Sequence, residues 1–143
     1  MKENELANSA VPTSLTALLA AMRDHDADRA GEYLTDDIVL KSPIFAEPFT
    51  GRGNATALIG HLVNAVDEFE STGVLGGSET FAVTLKLRVG DTEVEGVDIV
   101  HVNAEGKIDA MTVQWRPLPA IVAVQNRLAP AVGVPALTLT ELS

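Results

Sequence analysis

The sequence predicts an α+β domain in which helices pack on the concave side of a curved, mostly antiparallel sheet, and three observations carry that reading. Leu15, Leu18, Leu19 and Met22 recur at the spacing of one helix face, and Leu58, Ile59, Leu62, Val63 and Val66 repeat the pattern further on. Phe81, Val83, Leu85 and Leu87 alternate with Thr84, Lys86 and Arg88, the period of a strand with one buried face. Gly90 with Asp91, and Gly106 after Ala104 and Glu105, supply short turns to two further strands, so these three strands are expected to be antiparallel neighbours.

Residues 1–12 are polar and stop at Pro12, a loose lead-in to a single domain over 13–131. Thr13 or Ser14 can cap the first helix, and Asp24, His25 and Asp26 break it. Asp26 can then cap a short second helix through Ala27, Ala30, Tyr33 and Leu34. After Asp36 and Asp37 a strand covers 38–42 and ends at Pro43. Pro43, Pro48, Gly51 and Gly53 make the next stretch a loop. A third helix is expected from Asn54 to about Phe69, and Gly73, Gly76 and Gly77 leave only a weak strand near 70–75. Strands follow at 79–89, 92–103 and 106–116. Pro117 and Pro119 open a last amphipathic segment through Ile121, Val122, Val124 and Leu128, which fades into a tail over 132–143.

At 143 residues the chain has the length of one domain, enough for a full core and a cavity. Twenty acids against ten bases give a net charge of −10, which repels phosphate backbones and anionic membranes, so neither nucleic acid nor a membrane is expected as a partner. The absence of cysteine removes disulfides, thiol nucleophiles and thiolate metal sites together. His25, His61 and His101 share no ligand spacing, so no metal is expected, and no cofactor either. No apolar run approaches the roughly 18 residues of a spanning helix, and the start lacks the basic-then-apolar order of a signal peptide; the expected location is cytoplasmic.

Asp98 is the most informative residue. Strand parity puts it on one face with Val94, Gly96, Val100 and Val102, and a carboxylate on an apolar face is costly unless it is paired, protonated or open to a cavity. In the next strand Met111, Val113 and Trp115 share a face. A strongly curved sheet closed by helices makes a cone, and a cone has a mouth. Together these predict an apolar pocket with one acid on its wall. Three roles stay open for Asp98: catalysis, hydrogen bonding to a ligand, and a structural bond to a hydroxyl such as that of Ser42.

Three stretches, 33–43, 48–52 and 97–108 running into Trp115, Arg116, Pro117 and Leu118, make residues 13–128 resemble the cone-shaped superfamily of nuclear transport factor 2, ketosteroid isomerase, limonene epoxide hydrolase and the SnoaL-like polyketide cyclases. The ending on Arg116, Pro117 and Leu118 is most similar to a SnoaL-like subgroup whose members mostly lack an assigned activity. The resemblance implies that Asp98 stands where ketosteroid isomerase has a protonated aspartic acid, an enzyme that is also the standard example of a carboxylic acid kept neutral in an apolar site. It implies that Trp115 stands at a pocket tryptophan. The same correspondence puts Ser42 at the catalytic base and Leu18 at the oxyanion-hole tyrosine, and neither residue supplies that chemistry. Gly96, two residues before Asp98, leaves limonene epoxide hydrolase's set of one arginine and two aspartates incomplete.

The expected function is therefore the binding of a small hydrophobic or amphipathic molecule beside Asp98 and Trp115, with Met111, Val113, Ile59, Leu18, Leu40 and Tyr33 as further ligand contacts. The alternative is an isomerase, cyclase or hydrolase using Asp98 as general acid, with Ser42 positioning substrate or water. His101 has the parity opposite to Asp98 and faces outward, as do Val97 and Ile99. Those two apolar side chains predict a homodimer through the outer face of the sheet.

Overall fold

The computed structural model describes residues 11–142. The lead-in expected over 1–12 lies outside the described residues except for Val11 and Pro12. Helix α1 (Thr13–Arg23) starts at Pro12, whose backbone is extended and whose carbonyl accepts from the N–H groups of Leu15 and Thr16. Neither hydroxyl expected to cap this helix does so, because the helix already includes Thr13, and Ser14 Oγ is buried without a hydrogen-bond partner. Asp26 does cap helix α2 (Ala27–Gly31), accepting from Arg29 N–H at 3.1 Å. That helix is one turn shorter than its apolar spacing predicts, since Leu34 is taken into the sheet.

Strand β1 (Leu34–Lys41) is longer than the predicted 38–42. It pairs parallel to the last strand, with a register shift between Leu34 and Val39 that absorbs the exposed Asp36 and Asp37. The predicted loop contains a two-residue strand β2 (Phe49–Thr50) against β1. Helix α3 (Arg52–Ala65) stops four residues before the expected Phe69. Val66 turns extended, Asp67 N–H reaches the Arg88 carbonyl, and β3 (Glu68–Gly76) begins at once. Sheet pairing overrides helical spacing here, because Phe69 opposite Leu87 buries its ring while keeping its backbone hydrogen-bonded.

Strands β4 (Thr80–Val89), β5 (Thr92–Val102) and β6 (Ile108–Arg116) agree with expectation to within two residues and are antiparallel neighbours. Gly90 in the β4–β5 turn takes a left-handed φ of 59°, which explains glycine there. Helix α4 (Leu118–Val132) carries Pro130 in its last turn and ends on Gly133 at φ 73°. Beyond it the chain folds back along α4: Gln125 Nε2 donates to the Pro135 carbonyl, and Asn126 both donates to and accepts from the Leu137 backbone.

The sheet order is β2-β1-β6-β5-β4-β3, all antiparallel except β1 with β6. Helices α1, α3 and α4 cover its inner face, and the core lies between, with Leu15, Leu34, Ile38, Phe81, Val94 and Val124 among its most buried members. The outer face is polar, with exposed pairs such as Lys86 with Glu93 and Arg116 with Glu95, each contributing little to stability. His101 lies on this face with Nδ1 2.5 Å from Asp109 Oδ1 and Nε2 3.6 Å from Glu79 Oε2, and the bond to Asp109 is the main cause of its raised pKa. Ile99 is 37% exposed there and Val97 half-buried. Among the described residues no helix is long and apolar enough to cross a membrane.

Candidate functional site

Register decides what surrounds Asp98. It lies opposite Val83 on β4 and Val113 on β6, so its inward parity brings it against two aliphatic side chains. Only 3% of its surface is exposed, and its Oδ1 is buried with no hydrogen-bond partner. Burial disfavours the charged form and pushes the carboxyl up to about 7, from an ordinary 3.8. Near neutral pH this group is thus shared between a neutral acid that donates a hydrogen bond and an anion that only accepts.

Asp98 stands on the wall of a small cavity of about 50 Å³ between the sheet and the helices. The sheet contributes Leu40, Phe69, Leu85, Leu87, Met111, Val113 and Trp115 to this wall. The helices contribute Met22, Leu58, Ile59, Leu62 and Leu128, and the loop after β1 adds Ser42, Ile44 and Phe45. Apart from Asp98, Ser42 and the indole N–H of Trp115, every lining side chain is apolar, and none carries a positive charge.

The structure brings together seven of the nine residues singled out from sequence: Asp98, Ser42, Trp115, Met111, Val113, Ile59 and Leu40. Leu18 and Tyr33 do not line this cavity. Leu18 is fully buried in the core one turn earlier on α1, and Met22 is the side chain that the helix presents to the cavity. Tyr33 is half-buried beside Leu34, which pairs with Ile108. That end of β6 is five residues from Val113, about 17 Å at the rise of an extended strand.

Ser42 has a local duty in the loop that follows it. Its Oγ accepts from Ile44 N–H at 2.9 Å and Phe45 N–H at 3.0 Å, so the hydroxyl holds the loop. Trp115 lies opposite Gly96, and a Cβ on Gly96 would come within 2.5 Å of the indole Cδ1. The missing side chain is what lets the ring lie across β5. Leu85, Leu87, Leu58 and Leu62 had visible inward parity, while Ile44 and Phe45 sit in an aperiodic loop and gave no signal. His61 is half-buried on α3 and His25 is exposed in the turn after α1. Among the described residues no group of three or more His, Cys, Asp or Glu side chains could hold a metal ion.

A sequence profile of the SnoaL-like domain matches residues 15–111, about two thirds of the chain. The chain belongs to the SnoaL-like domain family. The match includes Ser42, Asp98 and Met111 but ends before Trp115 and α4. No functionally curated protein matches the chain in sequence. Solved structures agree on the nuclear transport factor 2-like cone fold. An uncharacterised protein with a cystatin-like fold from Silicibacter pomeroyi DSS-3 superposes with a TM-score of 0.82 at 22% identity, covering 87% of this chain and 88% of that one. A steroid delta-isomerase from Pseudomonas aeruginosa gives 0.76 at 19% identity, over 86% and 94%. An epoxide hydrolase/cyclase-like enzyme, SalBIII, of pyran ring formation in the polyether salinomycin gives 0.64 at 21%, over 81% and 95%. At these identities the likeness is one of fold, and a fold hosts many chemistries.

Proposed function

We propose that this SnoaL-like domain binds a small, uncharged, mostly apolar molecule with one polar atom directed at Asp98 and its apolar body against Trp115, Met111 and Val113. The observation that carries this reading is the Asp98 carboxyl, buried with an unpartnered oxygen on an otherwise apolar wall. A buried polar group left unsatisfied costs about 1–3 kcal/mol, and a ligand oxygen hydrogen-bonded to the neutral acid would recover that loss. With no lysine, arginine or histidine in the lining, an anionic ligand has no counter-charge.

A second reading, an isomerase, cyclase or hydrolase with Asp98 as general acid, is favoured by one observation. A carboxyl raised to about 7 is matched to proton transfer near neutral pH. The missing base at Ser42 and the missing hydroxyl at Leu18 weigh against it, and we rank it second.

Trp115 is the sole tryptophan and lines the cavity, so its fluorescence responds to binding there. Titration with a series of cyclic ketones should change it saturably, with affinity constant below about pH 6 and falling up to tenfold per pH unit above 7. Asp98→Asn should bind with no such pH dependence. In D2O, deuteration alpha to the carbonyl that is accelerated by wild type and lost in Asp98→Asn would promote the enzyme reading over the binder. No saturable change with any ketone at pH 6 would end the ligand reading.

A further inference from the structure

The cavity's volume of about 50 Å³ is a third of the roughly 150 Å³ of an apolar cavity that takes up benzene. A ring-sized ligand therefore enters only if part of the wall moves. Most of that wall is β-strand or α-helix, braced by regular hydrogen bonds. The exception is the loop after β1. Between Pro43 and Pro48 the backbone's hydrogen bonds are the two that Ile44 and Phe45 donate to Ser42 Oγ.

Phe45 occupies a boundary. On one side it lines the cavity; on the other it borders a groove with Ala46, Glu47, Pro48, Phe49, Val132 and Val134. Its ring already meets Phe49 edge-on, with centroids 6.0 Å apart and planes at 67°. A rotation away from the cavity would carry the ring into a mostly apolar groove, where Phe49, Val132 and Val134 would cover part of it.

We propose that Ser42 and Phe45 form a size-selecting gate, Phe45 closing the cavity and Ser42 pinning the loop that carries it. This rests on the ligand reading above. Ser42 is then a positioning residue, and the gate decides which ring sizes reach Asp98. Two neutral hydrogen bonds are together worth about thirtyfold in an equilibrium, so their loss should raise the population of the open loop by about that factor.

The test is stopped-flow Trp115 fluorescence with acetone, cyclohexanone and 2-decalone, on wild type, Ser42→Ala, Ser42→Thr and Phe45→Ala, each checked for folding by circular dichroism. Ser42→Ala should raise the association rate of 2-decalone at least tenfold and that of acetone less than twofold. Ser42→Thr, which keeps the hydroxyl, should restore wild-type rates. Phe45→Ala removes a benzene-sized group and should raise 2-decalone affinity at least tenfold with acetone unchanged. Equal changes for all three ketones, or wild-type rates in Ser42→Ala with binding retained, overturn the gate and leave the ligand reading standing. No saturable signal from any ketone in wild type or in Phe45→Ala overturns both.

Discussion

Replacing Asp98 by Asn keeps the size and one oxygen of the side chain but removes its proton equilibrium. In the folded chain burial raises this carboxyl from 3.8 to about 7, whereas in the unfolded chain it titrates at its ordinary value. Between those two values the folded state holds a proton that the unfolded state has released. Stability therefore falls as pH rises through this window, is fully present below about 3.8, and levels off above 7. A displacement of that size corresponds to on the order of 4 kcal/mol. Urea unfolding of wild type and variant at pH 4 and pH 8 reads the effect. Other groups, His101 among them, titrate in both proteins, so the difference between the two curves isolates Asp98. At pH 4, where both side chains are neutral, wild type should be as stable as the variant or more so. At pH 8 wild type should have lost on the order of 4 kcal/mol relative to the variant, a midpoint separation of about 2 M at an m of about 2 kcal/mol/M. Parallel pH curves for the two proteins would refute the reasoning, because they would mean the carboxylate is solvated or paired.

Gly96→Ala forces a Cβ to 2.5 Å from Trp115 Cδ1, 3.0 Å from the Gln114 carbonyl and 3.1 Å from Leu85 Cδ1. It should cost about 1–3 kcal/mol in urea unfolding and shift the tryptophan emission maximum; an unchanged emission maximum would show that the ring does not rest on that backbone. For the outer face of the sheet we propose a second copy of this chain as the partner, on the strength of the exposed Ile99 and the half-buried Val97. Sedimentation velocity should then find a dimer that Ile99→Glu dissociates at the same concentration, and a monomeric wild type at tens of micromolar would dismiss it.

Much of the site was legible because strand parity is local covalent geometry. Once residues 92–103 are a strand, Asp98 shares a face with Val94 and Val100 whatever the rest of the chain does, and the turn at Gly90 and Asp91 sets Val83 opposite it. The same logic found Met111, Val113 and Trp115, and helical periodicity found Ile59. It misjudged Tyr33 and Leu18 because parity and periodicity name a face without saying where along an element the cavity lies. Ser42 was noticed for its position, yet its bonds to Ile44 and Phe45 depend on the loop's path, which has no period to read.

By itself the sequence determined the class of fold, the phase of the three central strands, the acid on the inner face and the exclusion of thiol chemistry, since each follows from residue type and spacing alone. Tertiary structure alone decided that β1 runs parallel beside β6, that Phe69 leaves a helical pattern to pair in β3, that Met22 and not Leu18 reaches the cavity, and that Phe45 lines it. Those outcomes come from which distant segments bury each other's surface, and neighbouring residues in the chain carry no record of that choice.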